Sequence, residues 1–353
     1  MGVIVSLAIA ASTLAGLGTI FLSRRLGFSG TVSLVTALYG AGFIAAALSQ
    51  HIMFAGLCFI VAMTGHNVFH NIAFSYLTRH TERRGLGKVI SNFTAIGDIG
   101  RIPLVSLAGF SAAFTMLGFP GWRVICLVYG TTALAAAGCL FFSAFRHEEE
   151  MDQENNKVSQ SRFPSFSLLR DRKLALSMFA SVLNALSNDR IFTFLPLLLL
   201  TRGIDPKIIG TFALGFSVGS FMGKMVCGRL VDRFGSHAVF IVAELLLAVL
   251  LTTLLLSNQL TLIIVISLLL GIVTKGTVPV IQTIITEPLT DAHGYDDVFS
   301  INTFLRGITN ILTPLLFGFL ASALGIDWIY VLMVIIAVLA TLPVLMMGKK
   351  AIR

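Results

Sequence analysis

Long apolar runs alternate with short polar punctuation along the whole chain. They lie near 3–22, 30–49, 51–77, 88–115 and 122–143, and then near 173–200, 206–227, 237–256, 260–286, 297–323 and 327–347. A helix needs about 20 apolar residues to cross a bilayer core, and each run supplies roughly that. The pattern predicts eleven membrane-spanning helices. Between the fifth and sixth, residues 144–172 form a polar, charge-dense segment that cannot enter a bilayer and is expected to be a flexible cytoplasmic linker. The predicted organisation is an N-terminal half over 1–143, the linker over 144–172 and a C-terminal half over 173–353.

Composition makes the membrane reading firm. Of 353 residues, 56% are hydrophobic and 12% charged, with a mean hydropathy of +0.90. No water-soluble fold of this size could cover that much apolar surface, which excludes a soluble enzyme. Cys58, Cys126, Cys139 and Cys227 all fall within apolar runs, with no spacing suited to zinc, and read as packing residues. The net charge of +8 does not indicate nucleic acid, because the basic residues are scattered over short connections with no continuous basic face. Their placement indicates topology instead. If the spans alternate, 17 of the 25 Lys and Arg residues fall on one side, three on the other and five within spans. The positive-inside rule then gives an N-out, C-in chain.

The connection after the seventh span reads Gly228-Arg229-Leu230-Val231-Asp232-Arg233-Phe234-Gly235. It resembles the G-x-L-x-D-R-x-G loop of the major facilitator superfamily. Gly121-Trp122-Arg123 at the start of the fifth span and Glu82-Arg83-Arg84-Gly85 before the fourth agree with that family's pattern. A degenerate copy of the loop runs from Ile20 to Gly27, with Arg24 where the acid belongs, at an offset of 208 residues. Later spans repeat at offsets of 207, 209, 209 and 205, so the halves are internal repeats. On that offset the counterpart of the sixth span would begin before Met1, and the chain is expected to lack the family's first helix.

The resemblance implies an all-α, two-half helical bundle whose helices 1, 4, 7 and 10 line a central cavity. Ionisable groups deep in a bilayer cost several kcal/mol unless they face such a cavity or one another. Here Asp98 and Arg101 lie in the fourth span, Asp189 and Arg190 in the sixth, Lys275 in the ninth and Arg306 in the tenth. The third span adds His66, Asn67, His70 and Asn71, which pair at a spacing of four along one helical face. The cations in this set outnumber the acids by two. His66, Asn67, His70, Arg101, Arg190, Lys275 and Arg306 are therefore the candidate substrate-binding residues, for a small polar, anionic solute. Asp98 and Asp189 are the candidates for proton coupling, although Asp98 could instead pair with Arg101 three residues on. The His-x-x-x-His pair has no third ligand on its helix, and no metal or cofactor is expected.

A gate is expected at the loops. Gly228, Asp232, Arg233 and Gly235 form the better copy, in which Asp232 would face the positive N-terminal end of the fourth span near Lys88 to Asn92. The competing reading pairs Asp232 locally with Arg229 or Arg233. The segment before the tenth span is acidic, and Arg24 or Arg25 is expected to meet Asp296 or Asp297 in a charge-swapped counterpart. The resulting expectation is a monomeric secondary transporter of the plasma (cell inner) membrane, possessing no enzyme activity and working as a symporter. The alternative is a protein that kept the fold for a sensing, scaffold or assembly role.

Overall fold

The computed structural model describes residues 10–11, 13–15, 18–82, 85–111, 115–116, 119–155, 166–204, 206–289 and 294–348. Helices dominate: α1 (Thr19–Leu48), α2 (Ile52–Arg79), α3 (Leu86–Ser111), α4 (Gly121–Asn155), α5 (Arg172–Asn188), α6 (Ile191–Thr201), α7 (Pro206–Phe234), α8 (Ser236–Leu256), α9 (Leu260–Thr286), α10 (Tyr295–Leu324) and α11 (Asp327–Met346). The one β element among the described residues is a short antiparallel pairing of Thr115–Met116 with Phe119–Pro120.

Seven of the described helices contain a stretch long and apolar enough to cross a membrane: Arg25–Leu48, Met53–Arg79, Gly121–Phe142, Ser236–Leu256, Leu260–Thr286, Tyr295–Leu324 and Asp327–Met346. The other expected spans differ for identifiable reasons. Half of the run 3–22 lies outside the described residues. α3 carries Lys88, Asp98 and Arg101, and α7 carries Lys224, Arg229 and Asp232, which lower their mean hydropathy. The sixth run is interrupted: α5 ends at Asn188 and α6 begins at Ile191.

Two boundaries also depart from the hydropathy pattern. α1 joins the end of the first run to the second across a kink at Gly27, whose φ of 69° suits a residue without a Cβ. α4 continues past 143 to Asn155, so the expected linker is helical over 144–155. Glu, Met and Gln in that stretch are good helix formers whether or not a bilayer surrounds them. Where the chain becomes α5, Asp171 caps the helix by accepting from the Lys173 and Leu174 amides at 2.7 and 3.1 Å.

The chain folds as two compact units. One comprises Met1–Arg79, Pro103–Phe166 and Asp291–Ile308; the other comprises His80–Ile102, Ser167–Thr290 and Thr309–Arg353. In the first, α1 packs against both α2 and α4. Val32, Val35, Val68 and Ile72 form its buried apolar cluster, and Ser33 Oγ donates to the Ala137 carbonyl at 2.8 Å. In the second, α7 lies along α9 while α11 packs on α5 and α8. Its core gathers Leu198, Phe212, Leu247, Leu251, Phe317 and Tyr330, among others. A Cβ at Gly219 or Gly223 of α7 would meet the Leu268 or Ile272 carbonyl of α9. Small residues thus let these two backbones touch, the usual means of helix association where lipid removes the hydrophobic drive. Outward-facing Met53, Phe142, Leu256 and Phe319 are each more than 70% exposed, as a lipid-facing surface requires.

Candidate functional site

In the second unit, a polar seam joins the start of α3 to the end of α7. The first-turn amides of a helix lack intrahelical acceptors and carry partial positive charge. Asp232 supplies both acceptors: Gly87 N–H donates to Oδ1 at 3.0 Å and Lys88 N–H to Oδ2 at 2.9 Å. Burial pushes the Asp232 carboxyl up from its ordinary value, and the two amides and the Lys88 charge pull it part of the way back. One turn earlier on α7, Gly228 lies against the Gly87 carbonyl and the Ser91 side chain, where any Cβ would clash. Ser91 Oγ donates to the Lys224 carbonyl. Lys224 Nζ in turn lies 2.6 Å from Asp98 Oδ2, which also accepts from Ser220 Oγ at 3.2 Å.

Ser220, Lys224, Gly228 and Asp232 recur every fourth residue, so α7 presents them as one stripe. Asp98 is thereby bonded to Lys224, a partner the sequence pattern did not indicate, and the Arg101 side chain lies outside the described residues. Asp232 makes the helix-end contact that was expected, within a residue of the expected position. Neither local base competes for it: Arg229 is exposed, and the Arg233 guanidinium sits 5.2 Å from the Phe234 ring centroid. Gly235, with a φ of 83°, turns the chain from α7 into α8.

The same unit holds the interrupted sixth span. Asp189 and Arg190 occupy the break between α5 and α6. Arg190 Nη2 donates to the Asn310 carbonyl of α10 at 2.9 Å. Pro314 lies four residues after Asn310 and has no N–H for that carbonyl, so the guanidinium supplies the donor that proline removed. Lys275 is half-buried on α9. Beside the break, Glu244 of α8 is fully buried and accepts from Asn184, Asn188 and Ser187 of α5.

In the first unit, α2 carries an aromatic and polar face. The His66 and His70 rings meet edge to face at 4.4 Å, with Tyr39 5.9 Å from His66 and Phe74 stacked on His70 at 5.7 Å. Asn67 is half-buried on the same helix. Asn71, Ser75 and Arg79 continue its spacing of four and meet the first turns of α10. Thr303 Oγ1 donates to Asn71 Oδ1 at 2.5 Å, and Ser75 and Arg79 both bond Asp296, the latter at 2.5 Å. The base that the structure brings to Asp296 is Arg79, where Arg24 or Arg25 was expected. Arg25 is exposed, and the Arg24 side chain is outside the described residues. The reason is geometric: Arg79 ends α2 in line with Asn71 and Ser75, so one helical face delivers all three. Asp297 and Arg306 are half-buried on α10.

A family model described as the Major Facilitator Superfamily matches residues 177–351. The chain belongs to the major facilitator superfamily. Solved structures carry the likeness across the rest of it. A superfamily transporter, FucP, in the outward conformation superposes with a TM-score of 0.75 at 16% identity, over 98% of this chain and 90% of that one. The E. coli fucose:proton symporter FucP superposes with a TM-score of 0.75 at 15% identity, over 98% and 90% of the two chains. The proton:xylose symporter XylE, bound to 6-bromo-6-deoxy-D-glucose, gives 0.75 at 14% identity, over 97% and 84%. No curated protein matches the sequence. As a superfamily member the chain is an integral, multi-pass membrane protein, and the loop from Gly228 to Gly235 that first suggested the family is the segment that docks on α3.

Lys224, Glu244, Ser75 and Arg79 were not foreseen from the sequence. Lys224 had a usable signal, standing four and eight residues before Gly228 and Asp232. Arg79 likewise continued the Asn67, Asn71, Ser75 series. Glu244 had none beyond being an acid inside an apolar run.

Proposed function

We propose that the protein is a secondary transporter that moves a small polar, anionic solute by alternating access, with proton coupling. The observation that carries this reading is the releasable character of the α3–α7 seam. Its outer end is a carboxylate on two helix-end amides, a contact worth about 1–2 kcal/mol that water can replace. Rocking transporters need contacts of this kind, strong enough to populate one state and weak enough to break. The Arg79–Asp296 contact, at the end of α2 and the start of α10, is of the same kind.

In this reading eleven spans run N-out and C-in, the repeats over 1–143 and 173–353 flank the linker, and both seams lie at the cytoplasmic surface. Lys224 and Glu244 add one cation and one acid to the membrane-embedded set, so the surplus of two positive charges persists. His66, Asn67, His70, Arg101, Arg190, Lys275 and Arg306 then bind the solute, with Lys275 and Arg306 as its main counter-charges. Asp189 and Asp98 remain in the coupling role, Asp98 through its bond to Lys224. The neighbours in fold are a fucose:proton and a proton:xylose symporter, so sugars belong in any substrate panel beside organic anions. Uptake into proteoliposomes tests the charge reading. A well-folded Lys275→Gln/Arg306→Gln protein should bind its solute at least tenfold more weakly than the wild type, and unchanged affinity would remove the anion site.

A further inference from the structure

We infer that Trp122 and Trp328 are equivalent lipid anchors, each seating its indole at the boundary between the hydrocarbon and the phospholipid headgroups. They are the only tryptophans in the chain. Each is the second residue of the last helix of its repeat, α4 or α11. Trp122 is 41% exposed and Trp328 49%, and neither indole N–H has an acceptor among the described residues.

Helix length sets the depth of both. The apolar stretches that they open, Gly121–Phe142 and Asp327–Met346, are 22 and 20 residues long. At about 1.5 Å per residue each matches a hydrocarbon core of about 30 Å, so its first turn lies at the edge of that core. Side chains on a helix lean toward its N-terminal end, which carries both indoles outward from the edge. The Asp327 side chain, next to Trp328, is 64% exposed and cannot enter hydrocarbon. The Arg123 guanidinium lies 5.3 Å from the Trp122 ring centroid. An indole is a large apolar surface with one donor. Hydrocarbon leaves the donor unpaired and water leaves the ring exposed, whereas lipid ester and phosphate oxygens beside the first methylenes satisfy both.

Each unit ties its tryptophan down by the same device, built from different residues. In the first, Arg123 Nη2 donates to the Ser49 carbonyl at 2.8 Å. In the second, Arg202 Nη1 donates to the Ser257 carbonyl at 2.8 Å, and its Nη2 lies 3.4 Å from Asp327 Oδ1, beside Trp328. Ser49 and Ser257 stand 208 residues apart, the offset of the repeats, and the two tryptophans stand 206 apart. Each serine follows the last residue of a helix, α1 or α8. Its Oγ accepts from the amide two residues on, that of His51 at 3.2 Å and that of Gln259 at 3.3 Å. The guanidinium comes from α4 itself in one unit and from the residue that follows α6 in the other. The arrangement, and not a shared arginine, is what the repeats have in common. Each indole is thereby linked to the loop that leads into the next helix, so one lipid contact fixes the depth of two helix ends.

Tryptophan fluorescence of the full chain tests this, in phosphatidylcholine vesicles brominated either near the ester end or near the methyl end of the acyl chains. Trp122→Phe reports Trp328 alone and Trp328→Phe reports Trp122 alone, while the wild type reports their sum should either variant not fold. Each indole should be quenched about twofold more by the shallow bromines than by the deep ones. Stronger quenching by the deep bromines would place the indole in hydrocarbon, and no quenching by either would place it against water or protein; both results overturn the assignment. Arg123→Gln with Trp328→Phe, and Arg202→Gln with Trp122→Phe, should bring the ratio toward one as the freed indole samples more depths. A ratio unchanged by both arginine substitutions would overturn the tie between anchor and loop. The proposal needs only a membrane-spanning chain, and solute flux tests transport separately.

Discussion

Lys224 Nζ lies 2.6 Å from the Asp98 carboxylate, and this buried ion pair fastens the middle of α3 to the middle of α7. Its side chains are only 10% and 4% exposed, so neither charge has much recourse to water if the other is lost.

Breaking the pair from one side should therefore be costly. Lys224→Met or Asp98→Asn alone is expected to destabilise the protein by about 3–5 kcal/mol, because each strands the partner's charge or hydrogen bonds. Lys224→Met with Asp98→Leu should recover most of that loss. Thermal unfolding of the purified protein in detergent reads both, and a double variant no more stable than either single would show that the two residues act separately.

The helix-end contact is weaker and should govern conformation more than stability. Asp232→Ala removes the acceptors of Gly87 N–H and Lys88 N–H and should shift the equilibrium away from the docked seam by about 1–2 kcal/mol, up to roughly thirtyfold. Spin labels near the start of α3 and the end of α7 would show this as a longer distance population. An unchanged distribution would mean that Asp232 does not hold the seam.

Docking raises the Asp232 carboxyl above its ordinary value because lost hydration outweighs the two amides. The docked seam therefore takes up a proton in the interval between the undocked and docked values. Its population should rise as pH falls through that interval and be flat well above it. Asp232→Asn should abolish the trend, and a seam that loosens on acidification would contradict the sign.

Close approach at Gly228 should be as important as charge. Gly228→Val places side-chain atoms on the Gly87 carbonyl and Ser91, and should open the seam at least as far as Asp232→Ala in the same distance measurement. Arg79→Glu should be milder. Arg79 and Asp296 are 23% and 17% exposed, so their pairing contributes about 1 kcal/mol or less, and Arg79→Glu/Asp296→Arg should restore what either reversal loses.

The helices and the family were legible in the sequence because apolar length and the Gly228 to Gly235 loop are local signals. So was the docking of Asp232, since an acid facing a helix start needs only that the two be brought near. Partner choice was not legible. Asp98 had a base three residues away in sequence, and its bond to Lys224 depends on α3 and α7 packing in register. Asp296 faced the same ambiguity, resolved by the Asn71, Ser75, Arg79 face of α2. The interruption at Asn188 lay inside a continuous apolar run, and the polar residues around it gave no boundary that hydropathy could detect.

Transport itself is tested most directly by flux into sealed proteoliposomes. From a panel of small organic anions and sugars, at least one solute should accumulate above its external concentration under an inward proton gradient, and stop doing so when the gradient is collapsed. Solute that binds the purified protein and never crosses the bilayer in either direction would contradict a transporter.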